Sequence, residues 1–195
     1  KLPDLTSASL PASLKSMGSH AFEGCGKLSE ATLPEGLTHL GYESFKATAL
    51  TSVVLPVSLE TLESLAFNEC KSLESVTING KLSIQLFMKC TALKHVTFNG
   101  NELKAINNAF SGCTALEEIE IPEGVTQLGQ IGGAPKKITL PSTLESLTAT
   151  DLGYRVTELT INNNDRFVKR DGIVYSADGS TVILCEKGVS GNVVI

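Results

Sequence analysis

One pattern of apolar and polar positions recurs along this chain: a leucine, two residues, an aliphatic, one residue, a second aliphatic, then proline or asparagine. It begins at Leu5, Leu28, Leu50, Leu73, Leu93 and Leu116, and, with the leucine replaced, at Pro135 and Val156. The spacings run from 19 to 23 residues. Aliphatic residues at every second position, as in Val53-x-Leu55, Val76-x-Ile78 and Ile119-x-Ile121, predict a short half-buried strand. The closing Pro or Asn ends it. A repeat that returns the chain to the same place at each turn lays successive strands parallel and in register. At about 4.8 Å per strand, eight of them extend on the order of 38 Å. No unit of this size can bury its apolar face alone, so stability comes from stacking on neighbours.

A second block follows most strands: Leu-x-x-Leu-Gly, then Ala-Phe-x-x-Cys. Examples are Ala21-Phe22 with Cys25, Ala66-Phe67 with Cys70, and Ala109-Phe110 with Cys113. Five of the seven Phe (22, 45, 67, 87 and 110) occupy this one slot. The block predicts one or two helical turns opposite the strands, with Phe plugging the interior and Gly18, Gly41 and Gly129 allowing the bend before it. The fourth repeat is short, with Leu86-Phe87-Met88 in place of the block, and the sixth and seventh lose it. The fold class expected is therefore α/β: a solenoid with a parallel sheet on one side and short helical turns on the other, of about eight repeats over residues 1–162.

Residues 163–195 leave the period. Phe167-Val168-Lys169-Arg170 meets Ile173-Val174-Tyr175 across Asp171-Gly172, a two-residue hairpin signal. A further turn at Asp178-Gly179 leads to a third strand around Val182-Ile183-Leu184, so the tail predicts a meander.

Composition sharpens this picture. Leucine supplies 26 of 195 residues while Trp is absent, which suits a thin repeated interior. The net charge of −5 and the scattered Lys and Arg argue against a nucleic-acid partner. No apolar run approaches a membrane span.

The chemistry-bearing residues mostly have plain readings. Cys25, Cys70 and Cys113 share one repeat slot and Cys90 its shifted version. Either these thiols form a buried stacked column or adjacent coils are bridged, as at Cys70–Cys90. Their spacings are not those of a zinc site. His20, His39 and His95 fall in three different slots and are not expected to converge. The Asp-Gly pairs at 171 and 178 are turns rather than a calcium loop. No catalytic constellation, cofactor or metal is expected, and the chain reads as a non-enzyme.

The outward position of the strands carries Ser9, Thr32, Val54, Thr77, Thr97, Glu120, Thr139 and Thr160. Threonine here is either strand propensity or a binding stripe. The flanking column is Ser7, Glu30, Ser52, Ser75, His95, Glu118, Lys137 and Glu158, which predicts ion pairing of Lys137 with Glu118 and Glu158 across strands. The alternative to such pairing is an acidic area of Glu117, Glu118, Glu120 and Glu123 that could meet a basic partner.

The strand motif ending in Pro and the Ala-Phe-x-x-Cys block resemble the leucine-rich repeat superfamily, in its treponemal or BspA-like branch. The resemblance covers residues 5 to about 162, and the meander is similar to an insertion between repeats of that branch, which implies that Val193-Val194-Ile195 starts another repeat of a truncated array. It implies a right-handed solenoid whose strands line a concave face. It further implies an extracellular or cell-surface setting, with adhesion or host interaction through a protein ligand such as an extracellular-matrix or cell-surface protein. The candidate binding residues are Thr32, Val54, Thr77, Thr97, Glu118, Glu120, Thr139 and Thr160. The competing reading is a structural spacer of a larger surface protein, with no ligand of its own.

Overall fold

A computed structural model describes residues 2–100, 102–133, 135–153 and 155–190. The eight repeat segments each form a strand: β1 (Ser7–Ala8), β3 (Glu30–Ala31), β5 (Ser52–Leu55), β7 (Ser75–Ile78), β8 (His95–Phe98), β10 (Glu118–Glu120), β12 (Lys137–Leu140) and β13 (Glu158–Ile161). All pairings among them are parallel, and equivalent repeat positions face each other: Val53 opposite Val76, Val76 opposite Val96, Ile138 opposite Leu159. Period-two burial follows, with Val53 and Leu55 inside and Ser52 and Val54 outside. Where Asn replaces the terminal Pro, the amide continues the stacking: Asn99 Nδ2 donates to Asn79 Oδ1 at 2.9 Å.

A second set of two-residue strands was not anticipated. These are β2 (Ser16–Met17), β4 (His39–Leu40), β6 (Thr61–Leu62), β9 (Ala105–Ile106) and β11 (Gln127–Leu128). They pair in parallel as β2-β4-β6 and β9-β11. Five of the coils thus turn between two short strands.

The Ala-Phe-x-x-Cys blocks are hydrogen-bonded turns rather than the helical turns expected. Among the described residues the only α-helix is α1 (Ala149–Leu152), in a repeat that lacks the block. The α/β description therefore gives way to a parallel β-solenoid. The cause is visible in the backbone. The residue two before each Phe is left-handed (His20, Glu43, Leu65, Gln85, Asn108), and so is the residue two after it (Gly24, Ala47, Glu69, Lys89, Gly112). Two such residues per block are incompatible with a right-handed helix. The amides also point to the next coil instead of along the chain. Phe22 N donates to Ser44 O, Phe45 N to Ala66 O, Phe67 N to Leu86 O and Phe87 N to Ala109 O, at 2.7–3.1 Å. Bonds between coils replace the bonds a helix would make within one.

The interior is a column. Phe22, Phe45, Phe67, Phe87 and Phe110 stack with centroids 5.2–5.9 Å apart and rings within 18° of parallel. Beside it run the thiols. Cys70, Cys90 and Cys113 donate to the carbonyls of Phe45, Phe67 and Phe87, each at 3.1 Å. All five cysteines are free, so the stacked column holds and the Cys70–Cys90 bridge is not formed. Burial pushes the Cys113 thiol up to about 12. The hydrogen bond with Cys70, together with burial, raises Cys90 as well.

The glycines act differently from the bend expected of them. Gly18, Gly41 and Gly129 do not have positive φ. At Gly41 the requirement is close approach: a Cβ there would lie 2.5 Å from Ser19 N in the preceding coil.

The tail forms an antiparallel meander of β14 (Phe167–Arg170), β15 (Ile173–Ser176) and β16 (Val182–Cys185). Asp171 and Gly172 both have positive φ, as a tight hairpin turn requires. The meander is pinned to β13: Glu186 Oε1 accepts from Leu159 N, and Lys169 Nζ bonds both Glu186 Oε1 and Leu159 O at 2.7 Å. The run at 193–195 lies outside the described residues.

Candidate protein-binding face

The outward positions of the first strand set form rows because the register is exact to the residue across each ladder. Val54, Thr77 and Thr97 face one another on β5, β7 and β8. Glu120, Thr139 and Thr160 do so on β10, β12 and β13. Thr32 follows β3 and is exposed, but no ladder joins it to Val54. The candidate row is therefore three pieces, not one stripe.

The breaks are specific. Among the described residues, β3 is not laddered to β5, and β8 is not laddered to β10. At the second break the same two coils stay joined elsewhere. Ala105 and Ile106 of β9 pair with Gln127 and Leu128 of β11, and Phe110 N donates to Ile131 O. The seam is thus open on the strand face alone. Its two sides present backbone groups without ladder partners.

Two shallow depressions meet there. One, of about 410 Å³, is lined by Thr97, Glu118, Glu120, Lys137, Thr139 and Thr160 among others. The other, of about 610 Å³, lies toward Lys94, His95, Lys136 and Glu117. Neither resembles an enclosed small-molecule pocket, since both are formed by the surface of a sheet.

The charges around the seam divide into used and unused. Lys137 Nζ pairs with Glu158 Oε2 at 3.0 Å, and Lys136 Nζ with Glu117 Oε1 at 2.9 Å. The hydrogen bond and field of Glu158, with a smaller contribution from Glu118, raise the Lys137 pKa. The Lys136 hydrogen bond lowers that of Glu117. Glu123 is spent on Ser142, accepting from its backbone N and hydroxyl at 3.0 and 2.8 Å, and its pKa is lowered by those bonds. Of the two ion pairs expected at Lys137, only that with Glu158 forms within 4.0 Å. Among the described residues Glu118 and Glu120 make no ion pair. Two residues apart on one strand, they project to the same side, about 7 Å from each other. This arrangement can receive a cationic side chain, and the flanking threonines can exchange hydrogen bonds with a polypeptide.

The three histidines lie apart in the fold, in a turn block (His20), β4 (His39) and β8 (His95). Residue-type reasoning missed what surrounds His20: two carboxylates, Glu23 and Glu43, with Glu43 supplied by the same slot of the next coil. The common slot spacing carries that signal. Asp178 is occupied by its own turn, where bonds from Ser176 and Ser180 hold its carboxyl down at about 2.

A family model of the BspA-type leucine-rich repeat region matches residues 1–86 and 81–150, with six copies. The chain belongs to this family. Three solved structures similar to this BspA-type chain are each near 20% identity. A leucine-rich repeat protein from Eubacterium ventriosum is 20% identical with a TM-score of 0.52, covering 74% of this chain and 45% of its own. A leucine-rich repeat protein from Bacteroides ovatus is 21% identical, TM-score 0.46, covering 82% and 57%. A leucine-rich cell-surface protein from Faecalibacterium prausnitzii is 19% identical, TM-score 0.45, covering 81% and 60%. At 20% identity the likeness to the Eubacterium ventriosum protein speaks to the fold alone. The BspA-type chain spans less than two thirds of each of these three proteins. Among curated proteins none matches. Among the described residues no helix is long and apolar enough to cross a membrane.

Proposed function

We propose that this BspA-type chain is a non-enzymatic protein-binding module of a secreted or cell-surface protein, and that its strand face meets the ligand. The observation that carries the reading is the seam between β8 and β10, where the sheet is unlatched beside two carboxylates that, among the described residues, make no ion pair within 4.0 Å. Thr77, Thr97, Thr139 and Thr160 extend the face on either side as exposed or half-exposed hydroxyls. Solenoids use such extended faces for recognition. The surface setting, and adhesion to a host extracellular-matrix or cell-surface protein as its purpose, follow from the family resemblance.

The test is a binding screen of the chain against immobilised extracellular-matrix and cell-surface proteins, with a Glu118→Lys, Glu120→Lys double variant and a Glu30→Lys control. Saturable binding lost in the double variant and kept in the control supports the reading. Binding indifferent to the double variant moves the site elsewhere. A chain that binds nothing in the screen favours a spacer.

A further inference from the structure

The cluster around His20 has the dimensions of a metal site. His20 Nδ1 lies 3.2 Å from Glu23 Oε2 and 3.6 Å from Glu43 Oε2. All three donor atoms fall within 4.8 Å of one another. Ligand atoms about 2.0–2.2 Å from a tetrahedral zinc stand about 3.3–3.6 Å from each other, so both imidazole–carboxylate separations match the edges of one tetrahedron. We propose that His20, Glu23 and Glu43 bind a divalent transition-metal ion of the zinc class, with a fourth position open to water.

The fold pre-forms the donors. His20 and Glu43 are the left-handed residues of the same slot in adjacent coils, with φ of 59° and 50°. Their backbones are locked by the inter-coil bond from His20 N to Tyr42 O at 2.9 Å. The Tyr42 ring packs edge-on against the imidazole, centroids 5.5 Å apart. The Glu43 side chain is only 9% exposed, while that of His20 is 49% exposed, which leaves an entry path. An imidazole with two carboxylates suits zinc, manganese or iron better than calcium, which takes oxygen ligands alone.

Lys46 is the competitor. Its Nζ bonds Glu43 Oε2 at 2.8 Å, the same oxygen that faces His20, and reaches Glu23 Oε1 at 3.5 Å. The ammonium satisfies these carboxylates in the absence of metal, and a metal must displace it from Glu43. Lys46 is long, and its side chain is 27% exposed, so it has room to withdraw. In the corresponding slot the later coils carry Leu65, Gln85 and Asn108, so among the described residues the donor set arises once.

The experiment is calorimetric titration of the whole chain with zinc chloride, in a Cys185→Ser background that removes the exposed thiol. A single site is expected, weakened about tenfold or more by His20→Ala and by Glu43→Gln. Lys46→Met is expected to tighten it several-fold, because the competing ammonium is gone. Zinc should perturb the His20 ring resonances in NMR spectra, and calcium chloride should leave them unchanged. No zinc binding, binding unaffected by His20→Ala, weaker binding in Lys46→Met, or an equal response to calcium would each overturn the site and leave an ion-pair network.

Discussion

The Cys90 thiol donates to the backbone carbonyl of Phe67, one coil earlier, at 3.1 Å. The same relation joins Cys70 to Phe45 and Cys113 to Phe87. Each thiol therefore ties its coil to the backbone of the Phe one coil earlier, and hydrogen bonds join the sulfur column to the aromatic one. Four predictions rest on this interior.

Phe67 is fully buried, with Phe45 on one side and Phe87 on the other. Phe67→Ala should destabilise by about 3–5 kcal/mol, as for other buried aromatics, and urea melts will read it. A variant as stable as the wild type would mean that the stack is not the core.

The thiols make the fold sensitive to alkali. Cys113 has its pKa raised from 9.0 to about 12 by burial. Below pH 9 folded and unfolded chains both keep this proton, so its contribution is intact. Between pH 9 and 12 the unfolded chain releases it while the folded chain holds it. Stability should fall there, by about 1.4 kcal/mol per pH unit for each such thiol. Denaturant midpoints from pH 8 to 10.5 should drop less steeply in Cys113→Ala than in the wild type; equal slopes would contradict the assignment.

Ser44 occupies the slot held by Ala21, Ala66 and Ala109, and among the described residues its fully buried hydroxyl has no hydrogen-bond partner. Ser44→Ala removes an unsatisfied polar group at little change in volume, so it should stabilise by about 1 kcal/mol. Thermal melting of the two proteins side by side decides it. A lower melting temperature in the variant would show that the hydroxyl is satisfied in solution.

Gly41 and Gly18 should respond unequally to alanine. A Cβ at Gly41 meets Ser19 N at 2.5 Å and Gly18 C at 2.6 Å, whereas one at Gly18 meets nothing within 4 Å. Gly41→Ala should cost about 1–3 kcal/mol through forced separation of the first two coils. Gly18→Ala should be near neutral, and equal losses in the two variants would refute the close-approach account.

Much of this was legible from residue order. The strands at Val53–Leu55 and Val76–Ile78, the Phe slot, the thiol column and the hairpin at Asp171-Gly172 each follow from a local pattern whose period matches the structure. The turn blocks were misread for a physical reason: Ala-Phe-x-x-Cys has helical spacing, but Phe22 N and Phe45 N bond to the next coil, which residue spacing does not reveal. Two-residue strands such as Thr61–Leu62 are too short to show a period. Of the candidate site, the rows through Thr77 and Glu120 are legible because register follows repeat length. The open seam is not, since the spacing of β8 and β10 is ordinary for this chain. Nor is the pairing of Lys137 with Glu158 rather than Glu118.

The clamp of Glu186 and Lys169 on Leu159 changes how the last coil communicates. From β12 to β13 neighbours are coupled by a register of parallel backbone bonds. Beyond β13 the parallel ladder ends, and the coupling passes through a carboxylate and an ammonium seated on the Leu159 amide and carbonyl, one backbone bond from Lys187 N to Val156 O, and the packing of Phe167 and Val174 on the core. In a one-dimensional stack, cooperativity travels through nearest-neighbour interfaces. A change in the kind of interface is a place where an unfolding front can halt, so local melting that starts in the meander need not run into the coils.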